Sequence, residues 1–350
     1  MSAIAYADKE GAGRTGRTDP ELEDMSPERI QAANRVRALY SSGIPFFTKR
    51  AIADLVDQFD RARKHLQHVG TSEGNDGGES RRQMLFLQDL DGKTVELENE
   101  IGTVWPTTGT TEHITTDLVI RYRTYQGLIA ANTDPRQYTP ELAYCPLRIN
   151  YLECKRDKTT KQLRPQRRGQ SLKATREALD AGVKSWESSE ECERITAALT
   201  ASTTLNKVTK VIAFACCTMS RSEAVQKRSI TQHALILTIK DILQKKSLTA
   251  DGHVRCYAQD PIYTSADRAV LEGKGIHVLE DPHGFLEVDD SSIVIAFSPN
   301  VPVRQIVADI ARPAVMLWNR VKPEGEMASA WSEFWQEQNF QSVEELEANM

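Results

Sequence analysis

Short apolar runs alternate with helix-like stretches over the second half of the chain. The runs cover residues 208–215, 254–258, 276–280, 292–298 and 314–318. They are rich in β-branched residues, and a parallel strand that is buried on both faces has this continuous apolar pattern. The order of runs and helices therefore predicts an α/β fold, a Rossmann-like open, mostly parallel sheet with helices on both faces.

Capping boxes predict where two helices of this part begin. Ser229 and Gln232 have the spacing in which two side chains cap each other's backbone N–H groups, and Ser188 and Glu191 repeat it. The sequence thus predicts helices that begin at Ser229 and at Ser188, the second one directly after a helix over 172–186.

Two amphipathic helices are predicted near the start of the chain. Ser26 is expected to cap the first with its hydroxyl, and Pro27 suits the first helical position because no hydrogen bond is lost there. Thr48 is expected to cap the second, in which Ile52 and Phe59 lie on one apolar face.

A small antiparallel β unit is predicted after these helices. Asp91 and Gly92 predict a primed tight turn in a hairpin over 84–98. Alternating apolar residues and a high β-branched and aromatic content predict further strands over 118–125 and 147–154.

Composition divides the chain into consecutive segments. We expect a disordered tail, an N-terminal α+β extension that contains a flexible linker, a basic linker, the α/β domain and a helical tail. Their ranges are 1–25, 26–154 with the linker at 70–80, 155–170, 171–322 and 323–350. In the last segment, Trp331, Phe334 and Trp335 have helical spacing, which predicts packing on the core or an exposed partner surface.

Composition also limits the cellular compartments in which we expect the protein. The chain has 350 residues, 40% of them hydrophobic and 27% charged, which is enough for a sizeable core. No apolar stretch approaches the roughly 20 residues that span a bilayer, and the N-terminus has no signal-peptide pattern. The six cysteines have no repeated spacing, which favours a reducing compartment, so we expect a cytoplasmic or nuclear protein or both.

A basic run over 155–168 is the strongest charge feature. A solvated loop is the simplest interpretation. The alternative is an RNA contact through Arg164, Arg167 and Arg168, which would act locally because the formal net charge of the chain is -5. The sequence identifies no protein partner.

A constellation of short motifs over 172–321 resembles the Sensitivity to Red light Reduced domain family, in a form with the long N-terminal addition of fungal members. The matching pieces are KVIAF at 210–214, Gln232-His233-Ala234, Tyr257–Tyr263 with Asp260-Pro261, then Asp267, Leu271, Gly275 and IVIAF leading to Ser298-Pro299-Asn300, together with YSSGIPFFTK at 40–49. The resemblance implies a role in regulation, since the family is associated with light and clock signalling in plants and with haem metabolism or microtubule behaviour in other eukaryotes.

The chain departs from the family pattern at two places. Ala215-Cys216-Cys217 stand where relatives tend to have glycine, which a closely approaching phosphate would prefer. Pro299-Asn300 stand where relatives often have a Pro-His pair. Both departures argue against transferring a catalytic activity.

The candidate ligand-binding residues follow the ends of the predicted strands. Ligands of open α/β sheets bind outside the carboxyl ends of the strands, near the point where strand order reverses. The candidates are Thr218, Ser220, Gln232, Asp260, Tyr263 and Ser298. Asp260 has the position of an acid that accepts hydrogen bonds from a ribose, although Asp260-Pro261 is also a common turn sequence.

Other chemically active side chains have structural alternatives. Cys216 and Cys217 suggest a thiolate near a helix N-terminus, or small buried apolar residues. His233 suggests a general base, or a locally hydrogen-bonded side chain. His277 and His283 are expected to be structural or exposed. No grouping has zinc-finger or HExxH spacing, so no metal site is predicted, and the sequence names no cofactor.

The pattern predicts a Rossmann-like domain, and the resemblance implies a regulatory protein whose molecular activity stays unassigned. A nucleotide- or S-adenosylmethionine-dependent transferase is one alternative, because the predicted strand order permits it. An RNA-associated binding module that uses residues 155–168 is the other. Whether the protein is an enzyme is left open.

Overall fold

The computed structural model describes residues 26–69, 83–163, 169–221, 223–246 and 254–319. The described helices are α1 Pro27–Ser41, α2 Lys49–Val69, α3 Tyr125–Thr133, α4 Leu172–Glu187, α5 Glu190–Ala201, α6 Glu223–Lys246, α7 Ser265–Gly273, α8 His283–Glu287 and α9 Val303–Ile310. The described strands are β1 Met84–Gln88, β2 Thr94–Glu98, β3 Val104–Pro106, β4 Thr111–Tyr122, β5 Leu147–Asp157, β6 Lys210–Phe214, β7 Arg255–Gln259, β8 His277–Leu279, β9 Ser292–Ala296 and β10 Val315–Trp318. The described part contains no helix that is long and apolar enough to cross a membrane.

The five predicted runs form one open sheet, which confirms the predicted α/β fold. Its strand order is β10-β9-β6-β7-β8, and β6 pairs parallel with β7 and β9 while β7 pairs parallel with β8. The strand that comes first along the chain, β6, thus lies in the middle. Strand order reverses between β6 and β9, which is the arrangement of Rossmann-like sheets.

Both faces of this sheet are covered. Along β6, Val211 and Ala213 face an apolar cluster with α4, α5, α6 and α7, because successive side chains of a strand point to opposite faces. Ile212 and Phe214 face the other cluster, which α8 and α9 share with α2 and the β4–β5 pair. Residues of the N-terminal extension therefore complete the core of the sheet, and the described residues up to Leu317 form one compact unit.

The first two helices begin at the predicted residues. Thr48 caps α2, since its hydroxyl accepts the N–H of Ala51 at 3.1 Å, and Ile52 and Phe59 are buried as expected. Pro27 opens α1, but the Ser26 hydroxyl makes no capping hydrogen bond, so that detail of the prediction was wrong. The Ser26 carbonyl instead accepts the first helical N–H groups.

The predicted hairpin forms with a different turn. β1 and β2 pair antiparallel, but of Asp91 and Gly92 only Gly92 has a positive φ, of 80°, whereas the type I′ turn that an Asp-Gly pair favours needs two such residues. The N–H of Asp89 donates to the carbonyl of Lys93 at 2.9 Å, so the loop has three residues with glycine in the left-handed position. β4 and β5 also pair antiparallel, as predicted. β5 extends to Asp157, whereas β4 begins earlier, at Thr111, and ends at Tyr122, so the predicted strand end at residue 125 was wrong because Tyr125 begins α3.

Two helices begin elsewhere than predicted. The cap of α5 is Ser189, whose hydroxyl accepts the N–H of Cys192 at 3.2 Å, one residue after the predicted Ser188. Helix α6 already begins at Glu223, so Ser229 lies inside it. The Ser229 hydroxyl donates to the carbonyl of Cys217 at 2.8 Å. This long-range contact explains why a polar residue lies at this position, although its spacing from Gln232 resembles that of a helix cap.

The first half of the basic run is not a free loop. Arg156 lies in β5, and both Arg156 and Lys161 pair with Glu112 of β4, at 2.7 and 3.0 Å. Lys158 donates to the carbonyls of Thr107 and Gly109. Arg164, Arg167 and Arg168 lie outside the described residues, as do the predicted linker at 70–80 and both predicted tails.

Candidate functional site

The loop after β6 is fixed by carboxylates from the β7 side of the sheet. Asp260 follows β7, and its Oδ2 accepts the N–H of Cys217 at 2.7 Å. Asp267 lies in the first turn of α7 and accepts the Thr218 hydroxyl at 2.5 Å and the N–H of Met219 at 3.0 Å. All these donors belong to consecutive residues, so the two aspartates define the path of the loop.

Both carboxylates are engaged in the local structure. Asp260 also accepts the N–H of Ile262 at 3.1 Å, as the turn interpretation of Asp260-Pro261 requires, and burial raises the pKa of its carboxyl group. Asp267 accepts the N–H and hydroxyl of Thr264, at 2.8 and 2.7 Å, in a capping box for α7. Asp267 is fully buried, and it is not among the residues predicted for the site. The Thr264-x-x-Asp267 spacing was the signal available for it.

Ser220 lies at the far end of the same loop and is half-buried. Its N–H donates to the Thr218 hydroxyl at 3.0 Å, and its own hydroxyl is 3.5 Å from the hydroxyls of Thr175 in α4 and Thr264. The loop therefore presents a small group of hydroxyls between α4 and α7.

His233 is enclosed in the third turn of α6. Its Nδ1 is 2.7 Å from the Ser229 carbonyl, which can only accept, so Nδ1 carries the proton and Nε2 accepts the Tyr263 hydroxyl at 2.8 Å. Burial lowers the pKa of His233 to about 4, which leaves the ring neutral at pH 7. The ring thus links α6 to the β7–α7 loop, and its enclosure argues against the general-base hypothesis.

The two cysteines of the loop are not prepared as thiolates. Cys216 is fully buried, and burial raises its pKa far above the ordinary range. Cys217 is half-buried, and its pKa is also raised, first by burial and then by Asp260. The structural alternative, small buried side chains, is the one the geometry supports.

Left-handed backbone occurs on both sides of the strand-order reversal. Ala215 and Cys217, after β6, have φ values of 57° and 65°, and Ser298, after β9, has a φ of 50°. A residue with a side chain adopts this conformation at a cost of about 1–2 kcal/mol. The surrounding contacts must therefore impose it, as the Asp260 bond to Cys217 does.

Thr218, Ser220, Asp260 and Tyr263 lie in or beside the network around the β6 loop. Ser298 is exposed on the β9 side of the reversal. Gln232 is buried one helical turn after Ser229, and no described residue donates to its Oε1.

Two cavities lie elsewhere in the molecule. One of about 300 Å³ lies between α2 and β1, and an open one of about 790 Å³ lies beside α1. None of the candidate residues lines either cavity. Among the described residues, no group of three or more His, Cys, Asp and Glu side chains is placed to hold a metal ion.

Comparison with protein families adds an independent finding. Residues 183–348 match the family model described as the SRR1 domain. Over these residues the chain is similar to the SRR1 domain. The match begins within α4 and spans all five strands of the central sheet, and it confirms the resemblance to the Sensitivity to Red light Reduced family. No curated protein and no solved structure matches the chain.

The SRR1 match does not reach the extension at 26–154, which nonetheless packs on the same sheet. The fungal type and the predicted domain limits stay predictions. The same holds for a cytoplasmic or nuclear location.

Proposed function

We propose that the protein is a regulatory SRR1-domain protein that binds a small ligand in the crevice outside the carboxyl ends of β6 and β9. The left-handed backbone at Ala215, Cys217 and Ser298 carries this proposal, because it lies on both sides of the strand-order reversal. Open α/β sheets bind ligands at that point. Backbone strain of this kind clusters at ligand sites.

Within the proposed site, the residues have two different roles. Asp260, Asp267 and Tyr263 shape the loop, since their polar atoms bond to protein groups. Ser220 and Ser298 are accessible and are proposed to contact the ligand. Buried polar atoms are nearly always hydrogen-bonded, so the Gln232 amide oxygen is a further candidate to receive a ligand N–H or a water molecule.

Binding is favoured over catalysis by the state of the reactive side chains. His233 is neutral and enclosed, and the pKa values of Cys216 and Cys217 are raised. The transferase alternative also expects a glycine-rich phosphate loop, whereas side chains occupy the left-handed positions at Ala215 and Cys217. For the RNA alternative, Arg156 and Lys161 are already paired with Glu112.

Thermal unfolding with a panel of nucleotides, nucleosides and common cofactors tests the proposal. A ligand that binds only the folded chain stabilises it by about 2.7 kcal/mol at a hundred times its Kd. We therefore expect at least one member to raise the Tm by a few degrees.

Two matched variants locate the site. Ser298→Leu places a bulky apolar side chain at the rim of the crevice and is expected to abolish the shift. Asn206→Leu makes a comparable polar-to-apolar change at an exposed position before β6, at the amino end of the strand and away from the crevice, and should preserve the shift. The proposal fails if no panel member shifts the Tm, or if both variants respond like the wild type.

A further inference from the structure

Asp281 connects the N-terminal extension to the central sheet. It follows β8, and its Oδ1 accepts the hydroxyl of Tyr122, the last residue of β4, at 3.1 Å. The same oxygen accepts the side-chain N–H of Gln259, the last residue of β7, at 2.7 Å. One carboxyl oxygen therefore joins a strand of the extension to a strand of the sheet.

The groups around this carboxyl are tightly packed. The side-chain oxygen Oε1 of Gln259 accepts the N–H of Gly284 at 2.6 Å, and a Cβ at Gly284 would lie only 2.6 Å from that oxygen. The Tyr122 ring meets Phe285 edge-on, with a centroid distance of 5.4 Å, and Phe285 stacks on Phe214 at 4.6 Å. These contacts leave little free volume around Oδ1, whereas Asp281 as a whole is only partly buried.

The described surroundings of this carboxyl lack a positive charge that would pair with its ionised form. Both donors to Oδ1 are neutral, and no described residue donates to Oδ2, which is free to carry a proton. Among the described residues, no cation pairs with Asp281. The neighbouring Glu280 adds negative charge, although Arg268 of α7 pairs with it at 2.7 Å, and His283 of α8 bonds to its carbonyl.

We propose that Asp281 is a proton-dependent link, which holds the β4 end against the sheet when protonated and loosens this contact when ionised. An ionised carboxylate without a cation is better hydrated in water than in this packed position. Ionisation therefore favours an open arrangement in which more water reaches the partly buried carboxylate, at Oδ1 as well as at Oδ2. The link is independent of the proposed ligand crevice.

The direction of the pH effect follows from the proton affinity of the group. Burial raises the pKa of Asp281 from 3.8 to about 7, and the Tyr122 hydrogen bond opposes this. The folded state thus binds the proton more tightly than the open state does. The stabilisation is fully present below about pH 4 and is lost as the pH rises through 7.

Hydrogen exchange of the full chain between pH 6 and 8 tests the link. After correction for the intrinsic exchange rates, we expect protection over 118–128 to fall about tenfold between these limits. Protection over 292–296, in β9, serves as the internal reference and should change by less than twofold. Asp281→Asn keeps the acceptor oxygen but cannot ionise, so protection over 118–128 should become independent of pH.

Two further variants keep the test decisive. Asp57→Asn makes the same change at an exposed aspartate and should retain the tenfold fall. Tyr122→Phe leaves the carboxyl group but removes its bond to β4, so 118–128 should exchange faster and with less pH dependence. A wild type that changes less than twofold, or an Asp281→Asn chain that keeps the tenfold fall, overturns the proposal.

Discussion

Asp267 shows how one residue determines the shape of the β6 loop. Its two oxygens accept hydrogen bonds from Thr218, Met219 and Thr264, and the side chain is fully buried. A buried donor that loses its acceptor retains its full desolvation penalty, which is larger than the net gain from an average hydrogen bond.

Asp267→Asn is expected to lower the free energy of unfolding by about 2–4 kcal/mol, because the new amide group places donors against donors. Urea denaturation monitored by circular dichroism measures the change. Asp180→Asn is the matched control, since Asp180 pairs with Lys274 at the surface and should cost under about 1 kcal/mol. Equal losses in the two variants would contradict the role of Asp267.

At the scale of elements, a helix side chain satisfies part of the free edge of β1. The Gln58 amide of α2 accepts the N–H of Phe86 at 2.7 Å and donates to its carbonyl at 2.9 Å, as a neighbouring strand would. Met84 and Phe86 are exposed on this strand. An edge with free backbone groups and exposed apolar side chains promotes association between chains.

Gln58→Ala should therefore lower the free energy of unfolding by about 1–3 kcal/mol and promote self-association. Chemical denaturation and light scattering measure the two effects. Gln88→Ala, which removes an exposed bond to Thr94 on the same hairpin, should cost about 0.5 kcal/mol or less. A Gln58→Ala chain that behaves like Gln88→Ala would show that the helix side chain does not protect the edge.

Elements were predictable where a local pattern determines them. The five buried strands have continuous apolar runs, and Thr264 has its partner three residues away. The start of α6 was not predictable from Ser229, because its hydroxyl is satisfied by Cys217, 12 residues earlier. The contacts of Asp260 and Asp267 with the β6 loop join residues 43 to 49 positions apart, so no local spacing reveals them.

For the whole molecule, the extension is part of the core that surrounds the central sheet. Ile52, Leu55 and Phe59 of α2 are buried in the cluster that contains Ile212 and Val294 of the sheet. The carboxylate of Asp309, in α9, also accepts the N–H groups of Phe46 and Phe47, at 2.9 and 3.1 Å. Burial of each large apolar side chain contributes about 1.5–3 kcal/mol.

A chain that begins at residue 171 is accordingly expected to lose cooperative unfolding and to aggregate. The three α2 side chains alone contribute on the order of 5–10 kcal/mol, which is comparable to the whole stability of a typical domain. Near-ultraviolet circular dichroism and thermal unfolding measure the loss. A chain that begins at Ser26 is the control and should unfold cooperatively. A cooperative transition in the shorter chain would show that the chain from residue 171 onward folds without the N-terminal extension.

The tethered loop after β6 also has a kinetic consequence. The hydrogen bonds of Asp260 and Asp267 fix the conformation of residues 217–219 during folding, before a ligand binds. A ligand would therefore bind to a surface that is already formed, so little further ordering of the loop would accompany binding. Diffusion and orientation would then limit the association rate of the ligand, because binding would require no slow rearrangement of the backbone.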